Sequence, residues 1–216
     1  MKKYHKIENI FQRDTTGSKK LMDGCYNDPT VYYLRDCRWV CTEKVDGTNI
    51  RVYWDGHTIT FGGRTEKAEI PSHLLAKLNE MFSNPETEQL FEQMFGEKEV
   101  ILFGEGYGNK IQKVGSLYRE DVGFILFDIW IGSEENGYYL ARENVVQIGS
   151  ALGLEMVPIV YCGSLSGAVQ YVKSKPLSVV GSERVLMEGV VARPEIEIRA
   201  RDGKRIIVKI KACDFE

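Results

Sequence analysis

A chain of 216 residues with 43% apolar, 27% charged and 11% aromatic side chains has the material for one sizeable core and is not a disordered or fibrous composition. No apolar run is long enough to span a bilayer, and the opening MKKYHKIENIF lacks a signal-peptide hydrophobic region, so neither a membrane-spanning helix nor a secretory leader is expected. The net charge of −3 excludes a globally basic nucleic-acid binder, although residues 184–211 carry eight basic side chains against four acidic ones.

In chain order, the first forty residues are polar and turn-rich (DTTGSKK, DGCYNDPT), and regular patterning begins after them. Asn49 to Trp54 reads as a strand with Ile50, Val52 and Trp54 on one face. RVYW-DG-HTITF predicts a hairpin closed by a tight primed turn at Asp55-Gly56. SHLLAKLNEMF predicts a helix capped by Ser72, with apolar residues at 74, 75, 78, 81 and 82, and PETEQLFEQMFG predicts a second helix ended by Gly96. EVILFGEG and VGFILFDIWIG are nearly continuous apolar runs, the pattern of strands buried on both faces. ARENVVQIGSALG then reads as a helix, MVPIVY as a strand, SLSGAVQYVKSK as a helix and RVLMEGVVARP as a strand. A last hairpin, EIEIRA-RDGK-RIIVKIKA, turns at Asp202-Gly203. No repeat, low-complexity tract or linker divides the chain, so a single α+β domain over 1–216 is expected, with antiparallel sheets and helices packed outside.

The chemistry-bearing positions begin at Lys44, in EKVDG. On its own this is a surface lysine before a turn. It gains interest because a buried-looking strand follows and Gly47 would let the backbone approach a ligand closely. A lysine at its reference pKa of ~10.4 is neutral in only about one molecule in 2,500 at pH 7, a handicap of roughly 4.6 kcal/mol. Desolvation or neighbouring cations reduce it. VKIK supplies such cations: Lys209 and Lys211 are two apart on a predicted strand and so share a face, an arrangement an ordinary edge strand uses too.

Glu105, in FGEGYG, ends one apolar strand, and Glu188, in MEGVV, lies inside another. A carboxylate in such a run needs a partner, a structural ion pair or a metal, and the flanking glycines suit an oxygen-rich Mg²⁺ or sugar site. Phe127, in FILFDIW, is a core residue by pattern and a base-stacking residue if it faces a pocket. Arg64 follows Gly62-Gly63 in a turn where a guanidinium could meet phosphate. No glycine-rich phosphate loop appears, and three scattered histidines form no metal pattern. The five cysteines (25, 37, 41, 162, 213) are odd in number and form no CxxC pair. A reduced, cytoplasmic compartment fits them, with Cys37 and Cys41 as core sulfur.

Read in order, EKVDG, GGRT, FGEGYG, GFILFDIW, LMEGVVARP and VKIK resemble the covalent nucleotidyltransferases, the superfamily of RNA ligases, ATP-dependent DNA ligases and capping enzymes. The elements run from residue 43 to 211. KKYHKIEN at 2–9, the Thr-Asn of KVDGTN, FGEGYG and the ending KIKACDFE are most similar to the ATP-dependent RNA ligases of the phage RNA-repair and RNA-editing branch. Asp46 departs from the histidine found in some of that branch and follows the wider superfamily.

The resemblance implies a ligase adenylation (nucleotidyltransferase, ATP-grasp-like) domain and an enzyme that joins RNA 5′-phosphate and 3′-hydroxyl ends with ATP and Mg²⁺ or Mn²⁺. The RNA would be a nicked duplex, with no membrane partner. Lys44 would attack the α-phosphate of ATP and carry AMP, with Asp46 beside it in the motif. Glu43, Gly47, Arg64, Glu105 and Phe127 would bind the nucleotide: Glu43 near adenine, Phe127 stacked on the base, Glu105 on the ribose. Asn49 and Arg64 would serve the RNA ends. Glu188 would organise the metal through its water shell, and Lys209 and Lys211 would hold the α-phosphate and favour the neutral amine of Lys44. The chain ends five residues after Lys211, so neither an OB-fold nor any other appended C-terminal domain is expected. Two other readings stand at this point: the adenylation domain of a DNA ligase, and a catalytically inactive nucleotide- or RNA-end-binding protein on the same fold.

Overall fold

The structure is a computed structural model and describes residues 1–17, 20–181 and 184–215. Ser18 and Lys19 of the turn-rich opening, Ser182 and Glu183, and Glu216 at the end of KIKACDFE lie outside the described residues. The chain expected as one domain contains two compact units. One comprises Met1–His5 with Asp46–Val157, the other Lys6–Val45 with Pro158–Glu216. One passage between them falls inside KVDG, after Val45.

The opening forty residues are more regular than their polar composition suggests. They hold strands β1 (Glu8–Asn9), β2 (Phe11–Arg13) and β3 (Leu21–Tyr26), helix α1 (Pro29–Tyr33) and the first two residues of β4 (Trp39–Glu43). Asp28 caps α1 through the Thr30 N–H, with Pro29 at the first position. The Asp46–Val157 unit then contributes β5 (Thr48–Trp54), β6 (Ile59–Gly62), α2 (Ser72–Phe82), α3 (Pro85–Phe95), β7 (Val100–Gly108), α4 (Gly115–Tyr118), β8 (Val122–Ile131), β9 (Tyr138–Tyr139), α5 (Arg142–Ala151) and β10 (Glu155–Met156). The chain closes with β11 (Ile159–Gly163), α6 (Leu165–Lys173), β12 (Gly189–Pro194), β13 (Val208–Lys211) and a 3₁₀ turn, Ala212–Phe215.

In the Asp46–Val157 unit the strands run in the order β10-β8-β7-β5-β6, with β9 also paired to β8. All these pairs are antiparallel except β10 with β8. Ile50, Val52 and Trp54 alternate onto one face, as expected, and meet Val100 and Leu102 of β7. Leu74, Leu78 and Phe82 of α2, one turn apart, cover that face together with Phe91 of α3. The opposite face carries Ile101, Phe103 and Trp130, with Met1, Tyr4, Tyr53, Phe127 and Tyr139 packed on it. Both faces are therefore covered, which accounts for the continuous apolar runs of β7 and β8.

Two local expectations change here. Ser72 is the first helical residue rather than the cap, and Pro71 stands at the cap position without a side-chain acceptor. The β5–β6 hairpin closes through four residues, 55–58, with Trp54 opposite Ile59. Asp55 accepts from the N–H groups of His57 and Thr58, so an aspartate-stabilised turn replaces the two-residue primed one. The Gly96 stop of α3 is as expected, at φ +56.

The second unit is built on a five-stranded sheet in the order β1-β13-β12-β4-β11, beside a small β2–β3 pair. Trp39, Cys41, Val190, Ala192, Val208 and Ile210 project to one face, which α6 covers with Leu165, Ala168, Val169 and Val172. Three expectations fail in this unit. MVPIVY is not one strand: Val157 N–H bonds to Leu126, Pro158 has no N–H to continue the ladder, and its carbonyl accepts from Glu43 in a different sheet. RVLMEGVVARP enters the sheet only at Gly189, leaving Glu188 just before the strand, with a single bridge at Leu186–Leu177 upstream. EIEIRA pairs with the following segment only by the Arg199–Arg205 bridge, although its turn is where expected, with Gly203 at φ +83.

Among the described residues no helix is long and apolar enough to cross a membrane. All five cysteines are free, with Cys41 buried and the other four exposed.

Candidate functional site

Residues 144 and 167 positions beyond Lys44 meet it because three neighbouring strands end together. Strand β4 pairs with β12 so that Glu43 faces Val190, and the Lys44 N–H donates to the Gly189 carbonyl at 2.9 Å. Strand β12 pairs with β13 so that Gly189 faces Lys211. A Cβ on Gly189 would stand 2.1 Å from the Ile210 carbonyl oxygen, so only glycine lets these backbones close. The Ala212 N–H then donates to the Glu188 carbonyl at 2.9 Å.

The side chains converge on one carboxylate. Lys44 Nζ donates to Glu188 Oε2 at 2.6 Å, and Lys211 Nζ pairs with Glu188 Oε1 at 2.9 Å. The Glu188 side chain is 17% exposed and those of Lys44 and Lys211 are 28% and 29% exposed, so the cluster is not sealed from solvent. Lys209 lies on the same face as Lys211, because Val208 and Ile210 take the core face between them. β13 lies inside the sheet, between β1 and β12, so its lysines are not the charged guard of an edge strand. Burial, reinforced by the Lys44 and Lys211 charges, holds the Lys209 ammonium below the usual lysine value. Burial acts on Lys211 too, but the hydrogen bond and charge of Glu188 outweigh it and keep that ammonium above the usual value.

Glu43 is placed differently from its neighbour. It continues the core-facing row of Trp39 and Cys41 and is 1% exposed. Its carboxylate accepts from the Ser178 hydroxyl and from the N–H groups of Val179, at 2.8 Å, and Val180, at 3.3 Å.

The remaining sequence-derived positions belong to the Asp46–Val157 unit. Asp46 is its first residue after the passage. Gly47 is needed for a close approach, but to protein: a Cβ there would lie 2.3 Å from the Gly106 carbonyl oxygen and 2.8 Å from Glu105 Cγ. Gln112 Nε2 donates to the Gly47 carbonyl at 2.8 Å. Asn49 stands opposite Glu105 across the β5–β7 ladder, and its buried Oδ1 has no hydrogen-bond partner among the described residues. The glycines flanking Glu105 make room for core side chains, Phe124 at Gly104 and Leu74 at Gly106.

Phe127 is an inserted residue. Phe103 pairs with Asp128 and Gly104 with Leu126, so Phe127 has no partner and forms a β-bulge. The bulge turns it to the face of Phe103 and Trp130, where it is half-buried and edge-on to Tyr4 at 5.0 Å. Arg64 is exposed in the bend after β6.

Sequence reasoning missed Arg51. Its guanidinium is fully buried and donates to the carbonyls of Gly63 at 2.7 Å, Met1 at 2.9 Å and Lys2 at 3.3 Å, and to Glu66 at 3.0 Å. It thereby fixes the Gly62-Gly63 turn that presents Arg64. The signal was available: Arg51 is the one cation inside a strand whose neighbours Ile50 and Val52 are fully buried.

The RNA ligase family model matches residues 38–211 of the chain. No sequence among curated proteins matches it. Solved structures of Naegleria gruberi RNA ligase are similar. For a variant of that enzyme with ATP and Mn, the TM-score is 0.66 at 19% identity, covering 99% of this chain and 57% of that one. For that ligase with PPi, the TM-score is 0.62 at 22% identity, covering 97% and 60%. The chain thus spans under two thirds of those proteins, and at these identities the likeness is one of fold. With the family match running from β4 through the end of β13, the chain belongs to the RNA ligase family.

Proposed function

We propose that the chain is an ATP-dependent RNA ligase working through a lysyl-AMP intermediate on Lys44. The observation that carries the reading is the clasp of Lys44 and Lys211 on Glu188, beside Lys209, at the ends of three adjacent strands in a member of this family. An amine, two further cations and one carboxylate on one sheet face suit attack on a polyanion.

In the first step the neutral amine of Lys44 attacks the α-phosphorus of ATP. A P–N bond forms, the bond to the bridging oxygen breaks and pyrophosphate leaves. Lys44 has to lose a proton and part from Glu188 before it attacks, and Lys209 and Lys211 are placed to receive the phosphate charge. In the second step an RNA 5′-phosphate oxygen takes the AMP, breaking the P–N bond. In the third an RNA 3′-hydroxyl attacks that activated end and AMP leaves. Glu105 and Phe127 are assigned to ribose and base, and Asn49 and Arg64 to the RNA ends. Asp46 is assigned to the catalytic set beside Lys44, and Gly47 and Glu43 to the nucleotide-binding set.

A divalent cation fits this donor set in one form. Among the described residues no three His, Cys, Asp or Glu side chains stand together as a ligand set. A lone carboxylate suits an ion that keeps most of its waters, the habit of Mg²⁺ and its phosphate complexes. Glu188 would hold it, and it would supply neutralisation of the phosphate charge. The free cysteines accord with a reducing, cytoplasmic setting.

The test is incubation with Mg²⁺ and ATP or GTP labelled at the α-phosphate. Acid-labile, alkali-stable label on the protein is expected from ATP alone and is absent in Lys44→Ala. An unlabelled wild type ends the ligase reading. Nicked duplexes with RNA or DNA on the 3′-hydroxyl side follow, and equal sealing of DNA would overturn the RNA assignment.

A further inference from the structure

The side chain of Glu43, the residue before Lys44, points away from the lysine cluster. Lys209 and Lys211 occupy one face of the five-stranded sheet, while Glu43 points into the other with Trp39 and Cys41. There its two oxygens gather three donors: the Ser178 hydroxyl and the Val179 and Val180 N–H groups. Ser178 is itself buried, and its Oγ accepts from the Gly181 N–H at 2.8 Å, closing the turn around the carboxylate.

That turn begins an arm that doubles back. The Ser178 N–H donates to the Val185 carbonyl at 2.8 Å and the Met187 N–H to the Pro176 carbonyl at 2.9 Å, with Leu177 bridged to Leu186 between them. Leu177, Val179 and Leu186 are each more than half exposed, while Val185 and Met187 are buried, Met187 in the core that α6 covers, so apolar burial holds the returning limb and the bonds to Glu43 hold the turn. Its returning limb leads through Met187 directly to Glu188, the carboxylate that clasps Lys44 and Lys211. The chain neighbour of Lys44 thus holds one end of the arm whose other end delivers the partner of Lys44. A carboxylate held by convergent N–H and O–H donors is a rigid anchor.

We propose that Glu43 is a positioning residue: it clamps the turn at 178–180 so that the arm presents Glu188 to Lys44, and its carboxylate does not touch the nucleotide. This rests on the lysyl-AMP reading for its catalytic consequence, but the clamp is measurable without it.

Two variants and two readouts test the proposal. Glu43→Gln keeps the shape and loses the charge, and Ser178→Ala removes one donor while leaving Glu43 intact. Amide hydrogen exchange on the wild type and both variants is expected to show faster exchange at Val179, Val180 and Met187 in each variant. Single-turnover labelling of Lys44 across ATP concentrations is expected to show a maximal rate about tenfold lower in Glu43→Gln, with half-saturating ATP shifted by less than about threefold. Ser178→Ala is expected to change the same parameter less. Unchanged exchange at Met187 in both variants would overturn the clamp. Raised half-saturating ATP with an unchanged maximal rate would overturn it in favour of direct nucleotide contact. Should the wild type take no label, the ligase reading fails, and the exchange data still decide the clamp.

Discussion

Arg51→Met separates two opposing effects of a buried cation. Replacing a buried ion pair by a hydrophobe of similar volume is often neutral or stabilising, because the desolvation penalty disappears. Here most partners are backbone carbonyls, which the substitution cannot remove with the charge. The Glu66 carboxylate is 61% exposed, so water replaces its bond and the pair counts for little. The 3.3 Å contact to the Lys2 carbonyl is long and also counts for little. Two well-formed charge-assisted bonds remain, to Gly63 at 2.7 Å and Met1 at 2.9 Å. At ~1.5 kcal/mol each their loss amounts to ~3 kcal/mol. Against this, Nη2 is buried without a partner, so relief of its desolvation returns ~1 kcal/mol. The expected net loss is ~2 kcal/mol, read as a lower urea midpoint in equilibrium unfolding followed by tryptophan fluorescence. Because Arg51 also fixes the turn before Arg64, a folded variant is expected to label Lys44 normally and to transfer AMP to RNA more slowly. A stability change within about 0.5 kcal/mol, or a gain, would refute the reasoning that carbonyl donors decide the balance.

Lys209→Met is expected to raise the melting temperature at pH 7. The folded value of Lys209 lies below the ordinary 10.5, so between the two the unfolded chain binds more protons, and the lysine opposes folding most below its folded value. The gain should therefore shrink as the pH rises towards 10.5, and thermal scans across that window decide it. Gly47→Ala is expected to lose about 2 kcal/mol, because its Cβ would stand 2.3 Å from a backbone oxygen that cannot swing away, and an unchanged urea midpoint would contradict this. Lys44→Arg keeps the positive charge and its attraction to Glu188 but supplies no neutral amine, so stability within about 1 kcal/mol of wild type and complete loss of label are expected.

Periodicity found what periodicity can specify. The buried face of β5, the shared face of Lys209 and Lys211, and the helices at 72–82, 85–95, 142–151 and 165–173 follow from the spacing of apolar residues alone. Other features depend on pairing partners that spacing does not name. Whether VKIK was an edge strand turned on β1, a two-residue strand with no visible pattern. Glu188 reads as part of a strand because Val185, Leu186 and Met187 are apolar, yet those residues form the arm. β4 escapes apolar patterning because WVCTE places a tryptophan, a cysteine and a carboxylate on its buried side. Glu43 could not be read as an anchor from sequence, since its partners lie 135 to 137 residues away and two of the three are backbone amides.

The candidate site also sets function against stability. Three ammoniums share one sheet end with one carboxylate, and Glu188 satisfies two of them. Lys209 is left in a partly desolvated position facing the charges of Lys44 and Lys211, which is why its ammonium is destabilised. A surface selected for stability alone would place an acid or an apolar residue there. On the proposed function a bound polyphosphate would reverse the sign of the local field, and the repulsion among the lysines would become attraction to a common ligand. Function and stability conflict at such positions. Lys209 is where that conflict is most exposed, so the substitution expected to strengthen the fold there is also the one expected to weaken its hold on phosphate.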